Sequence, residues 1–187
     1  MAGYVIMITL IFSVTVMSLP VSAHPLIPAG YRQVASQYGI PPDYLYSLAL
    51  TESSRSLPFG QRPWPWTLNV AGKGYHYASR PEAWQALQHF LKTHPFKRID
   101  IGIAQVNLGW NGHYFTSAWE ALDPYINLHV AASILQTCRA RTDSWLAATG
   151  CYHYPADGKP AARYVERVKK HLAGLQTISG KTQKELS

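Results

Sequence analysis

Ten residues of this chain carry carboxylates, and Glu52 stands where a helix is expected to be apolar. The stretch from Pro41 to Ser54 reads as a helix in which Leu45, Leu48, Ala49 and Glu52 share one face. A carboxylate on a buried stripe is costly without partners. Low dielectric holds a proton on it towards neutrality, as a general acid requires. The competing reading is a helix-end glutamate that reaches solvent. Asp43, Glu82 and Asp123 fall at helix starts, where they complement the helix dipole, and Asp143 reads as a cap. Glu120, Asp157, Glu166 and Glu185 lie in polar surroundings. Only Asp100, inside Ile99-Asp100-Ile101-Gly102-Ile103-Ala104-Gln105-Val106-Asn107, shares an apolar, glycine-containing context. Glycosidases usually pair two carboxylates. Here Glu52 has no obvious second, and Asp100 is the one candidate.

The elements that must position these groups are mainly helical. Periodicity and start signals predict helices over Tyr31–Gln37, Pro41–Ser53, Pro81–Thr93, a short piece before Asn111, Pro124–Arg139, Ser144–Tyr152 and Ala161–Leu175. Between Arg62 and Arg80 the pattern changes. Trp64–Val70 and Tyr75–Tyr77 read as two short strands joined by the turn Ala71-Gly72-Lys73-Gly74. Trp64, Trp66, Tyr75, Tyr77 and Trp84 concentrate there. They suit either a groove for sugar rings or the packing of a small hairpin.

Residues 1–23 contain no Lys, Arg, Asp or Glu, and the apolar run Val5–Leu19 ends in Pro20-Val21-Ser22-Ala23. This reads as a signal peptide cleaved before His24, with an uncleaved anchor as the alternative. Residues 24–175 have the size of one domain, and 176–187 read as a polar, flexible tail. The net charge of +7 suits an acidic polymer outside the cytoplasm, such as peptidoglycan, among other anionic partners. The two cysteines, Cys138 and Cys151, lie about level on the helices flanking the turn at Asp143. In an oxidising compartment a disulfide is expected; two buried thiols are the alternative. The eight histidines are scattered singly, and no zinc-type spacing is present.

Motifs in order along the chain resemble the lysozyme-like lytic transglycosylase family with the soluble-lytic-transglycosylase catalytic domain. Glu52-Ser53 is similar to its Glu-Ser at the end of the first core helix. Gly102-Ile103-Ala104-Gln105-Val106-Asn107 is similar to its Gly-Leu-Met-Gln-Ile-Asn. Asp123-Pro124-Tyr125-Ile126-Asn127-Leu128, followed by Ala131-Ala132-Ser133-Ile134-Leu135, is similar to its Asp-Pro-x-x-Asn-Ile helix. Cys151-Tyr152-His153 stands at its Ala-Tyr-Asn, and Tyr164-Val165-x-x-Val168 at its closing Tyr-Val-x-x-Val. The resemblance covers about Tyr31 to Leu172. Ala104 replaces the usual Met, and His153 and Cys151 replace Asn and Ala. The aromatic insertion, and Asp100 before the glycine motif, resemble the members found with conjugation, type IV secretion and type IV pilus machinery.

The resemblance implies a lysozyme-like (goose-type) helical fold with a small β-hairpin insertion and a periplasmic enzyme without metal or cofactor. Its substrate would be peptidoglycan glycan strands, cleaved between N-acetylmuramic acid and N-acetylglucosamine to leave a 1,6-anhydro end. Glu52 would be the acid, supported by Ser53, which would orient it, and by Tyr152. Gln105, Asn107, Ala104, His153 and Tyr164 would bind substrate or shape the groove. Gln105 has a structural reading as a satisfied amide, and Tyr164 as packing. Partners in a secretion, conjugation or pilus apparatus are implied; nucleic acid and a stable membrane span are not. Two other readings stay open: a hydrolytic muramidase of the same fold, and a non-catalytic wall-binding assembly subunit.

Overall fold

The computed structural model describes residues 27–58 and 60–185, and the signal-peptide reading of residues 1–23 lies outside them. The chain is mainly α-helical, with two small antiparallel sheets. Two helices open it: α1 (Ala29–Gln37) and α2 (Pro42–Ser53). Pro42 suits the first turn of α2 because its missing N–H has no intrahelical acceptor to lose. The helix stops at Ser54, whose ψ of 132° turns the chain into a strand. That strand, β1 (Ser54–Leu57), pairs with β2 (Gly60–Pro63) in a hairpin not expected from the sequence.

A second sheet follows, in the order β4-β3-β5-β6: β3 (Thr67–Val70), β4 (Lys73–His76), β5 (Ile99–Ile101) and β6 (Val106–Asn107). The β3–β4 hairpin turns at Ala71-Gly72, with Val70 opposite Lys73, close to the expected site. Trp66, Tyr75, Tyr77 and Trp84 are partly buried and pack against the main core. Trp64 donates its indole N–H to the Tyr77 carbonyl at 2.7 Å, and Arg55 lies 4.7 Å over its ring. These contacts are hairpin packing.

Helix α3 (Arg80–Thr93) starts with a capping box: Ser79 accepts from the Glu82 N–H, and the Glu82 carboxylate accepts from Ser79 Oγ (2.9 Å) and the Ala78 N–H (3.2 Å). The short α4 (Leu108–Asn111) is capped by Asn107. Asp123 caps α5 (Pro124–Arg139) through the Tyr125 and Ile126 amides, as Asp-Pro at a helix start implies. Helix α6 (Trp145–His153) is capped by Ser144, whose hydroxyl accepts from the Ala147 N–H, and not by Asp143 as expected. The two neighbours compete for one role, and the chain places the serine one residue before the first turn.

The last helix, α7 (Lys159–Glu185), runs past Leu175 through the stretch read as a polar tail. Among the described residues no helix is long and apolar enough to cross a membrane. The main core joins Val34, Leu45, Leu48, Ala49, Ile101 and Leu135, while Tyr164, Val168 and Leu172 of α7 form a second cluster. Cys138 and Cys151 form a disulfide, with Cα atoms 5.7 Å apart, tying the end of α5 to α6.

Candidate active site

The apolar row of α2 is as the spacing implied: Leu45, Leu48 and Ala49 are fully buried, and Glu52 lies one turn beyond. Glu52 as a residue is partly exposed. Burial of its carboxyl dominates nevertheless and raises its pKa to about 7. Three neighbours modulate that value. Tyr164 and Arg167 from α7 lower it, and the negative charge of Asp100 from β5 raises it. The Tyr164 hydroxyl is itself buried and completes no hydrogen bond of ordinary geometry. It therefore acts on Glu52 from close by, as an uncommitted donor. Burial first, then Glu52, pushes the Tyr164 phenol well above its usual range, so it stays protonated.

Ser53 does not touch Glu52. Its hydroxyl lies 2.6 Å from the Ile103 carbonyl and 3.2 Å from that of Ala49, and it accepts from the Trp64 N–H at 3.2 Å. The proton follows the shorter contact to Ile103. Ser53 thus fixes the end of α2 against the turn between β5 and β6, and orients Glu52 only through the main chain.

That turn is tightly specified. Gly102 has φ +85°, and a Cβ there would collide with the Asn127 side-chain amide. Asn127 is fully buried on α5. Its Nδ2 donates to the Ile101 and Ala121 carbonyls (2.9 and 3.0 Å), and its Oδ1 accepts from the Ala104 N–H (3.0 Å). Gln105 holds φ +49°, a left-handed conformation unfavourable to a residue with a Cβ. Its Nε2 donates to the Thr67 and Gly102 carbonyls (3.0 and 2.8 Å). The amide nitrogen is thereby committed to the turn rather than to a ligand.

Asn107 is equally committed. It donates to the Lys97 carbonyl (3.0 Å) and to Asp100 Oδ1 (2.7 Å), and accepts from the Gly109 and Trp110 amides. It is a cap and a clamp on Asp100, its cross-strand partner in β5–β6, and not a free sugar ligand. Ala104 is fully buried, so its side chain lines no groove; its carbonyl accepts from the Tyr152 hydroxyl at 2.8 Å. Tyr152 is thereby fixed beside the two carboxylates. Its phenol is raised well above the usual range by burial, then by Glu52 and by Asp100. His153 is exposed overall, but one face of its ring is covered by the buried Tyr164, stacked flat with ring centres 4.4 Å apart. Tyr164 itself is buried, so only its hydroxyl end serves the site.

Asp100 has its own pKa raised, by burial more than the Asn107 hydrogen bond lowers it. The fold therefore brings Glu52, Asp100, Tyr152, Tyr164 and His153 together, with Ser53, Gln105, Asn107 and Ala104 as their scaffold. Two contributors escaped sequence reasoning. Asn127 was a polar residue inside an apolar helix row, and Arg167 sits three residues after Tyr164 on the same helical face. A separate hollow of about 430 Å³, lined by Phe96, Leu108, His113 and Phe115 among others, includes none of these groups. Among the described residues no cluster of three or more His, Cys, Asp or Glu side chains is placed to hold a metal.

Compared with family models, with curated proteins and with solved structures, the chain finds no match. The chemistry of the site therefore carries the functional reading.

Proposed function

We propose that this chain is a peptidoglycan lytic transglycosylase with a lysozyme-like fold, acting in the periplasm. The observation that carries the reading is Glu52: one carboxylic acid at a helix end, protonated near neutrality by burial, and flanked by two protonated tyrosines. Glu52 donates its proton to the oxygen linking N-acetylmuramic acid to N-acetylglucosamine, and that C–O bond breaks. The carboxylate then takes the proton of the muramoyl C6 hydroxyl as O6 bonds to C1. The ring closes as a 1,6-anhydro end, Glu52 is again protonated, and no water is consumed. Tyr152 lies beside the leaving oxygen, and the uncommitted Tyr164 hydroxyl donates to the carboxylate in its charged interval.

The disulfide supports export, and the net charge of +7 suits a wall bearing peptide carboxylates. Service to a secretion, conjugation or pilus machine rests on resemblance alone, that of the 62–80 insertion and of Asp100 before the glycine motif. Mass analysis of fragments released from purified peptidoglycan tests the reaction: anhydro ends from the wild type and none from Glu52→Gln support it, and reducing ends refute it.

One observation favours a second reading. Asp100 is coupled to Glu52 and held by Asn107, so it could serve as the base for a water in a hydrolytic muramidase. Asp100→Asn separates the two. A transglycosylase keeps its anhydro product in that variant, whereas a muramidase loses its reducing-end product.

A further inference from the structure

We propose that Arg167 is a positioning residue for Glu52: reaching from α7 to the end of α2, it holds the main chain beside the acid and stabilises the carboxylate left after proton donation. The assignment rests on the reading of Glu52 as the acid, and it adds a group from outside the motifs that suggested that reading.

The geometry begins with Nη2 of Arg167, which donates to the Thr51 carbonyl at 2.6 Å. Thr51 immediately precedes Glu52, and its carbonyl is one of the groups that a helix end leaves without an intrahelical partner. A guanidinium there satisfies the carbonyl and complements the negative end of the α2 dipole. The cation stands 5.7 Å from the centre of the Tyr164 ring, whose hydroxyl serves Glu52. Tyr164 and Arg167 are three residues apart, so one face of α7 presents both.

The positive charge is not spent on a contact ion pair. Glu166, its sequence neighbour, pairs with Lys169 at 2.7 Å, and among the described residues no carboxylate lies within salt-bridge distance of Arg167. Its field reaches the surrounding groups instead. His153 and His171 both have lowered pKa values, through burial first and Arg167 second. The groups acting on Glu52 are Tyr164 and Arg167 from α7, Asp100 from β5 and Tyr152 from α6. Arg167 is the one cation among them. Without it, burial and Asp100 would both resist ionisation, the carboxylate left by proton donation would lose its stabilising charge, and Glu52 would be a weaker proton donor.

The test reads the Glu52 carboxyl directly, by carbon NMR titration of the full chain labelled at glutamate, assigned against Glu52→Gln. Arg167→Gln removes the charge and, its amide two bonds short of Nη2, also the direct contact to the Thr51 carbonyl; Arg167→Lys keeps the charge. The Gln variant is expected to raise the Glu52 midpoint by roughly 0.2–0.7 unit, the range of a partly screened charge pair, while the Lys variant stays with the wild type. The alkaline limb of muropeptide release moves up with it. An unmoved midpoint in a folded Gln variant, or an equal shift in the Lys variant, overturns the proposal. Should the Gln variant fail to fold, Arg167→Cys is alkylated with cationic and with neutral reagents. Only the cationic adduct should restore the wild-type midpoint, and equal midpoints refute the assignment. The titration needs no substrate, so its outcome is independent of whether anhydro ends are produced.

Discussion

The hydroxyl of Ser53 reaches the main-chain carbonyl of Ile103 at 2.6 Å, across fifty residues of sequence, and joins the acid-bearing helix to the turn that positions Asp100 and Tyr152. Ser53→Ala leaves the Ile103 carbonyl short of a partner, while the Trp64 N–H keeps the Ser53 main-chain carbonyl at 3.0 Å. A stability loss of about 2 kcal/mol is expected in urea unfolding, because a buried carbonyl is left unsatisfied. Muropeptide release should fall roughly tenfold as the end of α2 loosens, with the pH midpoint of Glu52 little changed. A large midpoint shift would mean that Ser53 acts on the carboxyl itself.

The same turn depends on Gly102 and Asn127. Gly102→Ala forces a Cβ into the Asn127 amide at a φ of +85°. Asn127→Ala removes three buried hydrogen bonds at once. Each is expected to destabilise the fold by on the order of 3 kcal/mol or more. Thermal unfolding checks this, and a loss below about 1 kcal/mol in both variants would show that the turn is not held as described.

The Cys138–Cys151 bridge closes a short loop of sequence separation 13. Replacing both cysteines with alanine should cost about 3 kcal/mol. Because Tyr152 follows Cys151 directly, activity should fall even at temperatures where the variant stays folded. Equal activity of folded variant and wild type would separate the bridge from the site.

Much of this site was legible because its chemistry conflicts with its surroundings. Glu52 on the apolar row of α2 and Asp100 among isoleucines were visible as anomalies. Asp123-Pro124 announced the start of α5, and the level placement of Cys138 and Cys151 announced their bond. The roles of the motif residues were harder to read. Asn107, Gln105 and Ala104 occupy a motif that suggests substrate contact, yet the Asn107 amide is spent on backbone and Asp100, the Gln105 amide nitrogen on backbone, and the Ala104 carbonyl on the Tyr152 hydroxyl. One-dimensional spacing does not reveal which partners a side chain has already met. The β1–β2 hairpin was silent because Ser54–Leu57 and Gly60–Gln61-Arg62-Pro63 show no apolar alternation; only Pro63 of them is buried. Arg167 gave no signal in the sequence, because its contact depends on α2 being packed beside α7.

Stability should carry the signature of Glu52. Its folded pKa of about 7 lies above its ordinary value of 4.5, so the native state binds the extra proton between those two values. Stability from this group therefore falls as pH rises through that window, and the penalty is complete above it. Glu52→Gln should be more stable than the wild type at pH 8, by on the order of 3 kcal/mol, with the gap closing towards pH 4.5. Urea unfolding across that range reads it directly. A pH-independent gap would contradict the raised pKa.

The central claim is that Glu52 is both the acid and the base of a reaction that closes the C6 hydroxyl onto C1. Mass spectrometry of muropeptides released from purified peptidoglycan by the wild-type protein, beside folded Glu52→Gln, tests it most directly. The expected products are lighter by one water than reducing-end muropeptides and vanish with the substitution. Reducing-end products from the wild type, or anhydro products that persist in Glu52→Gln, would contradict it.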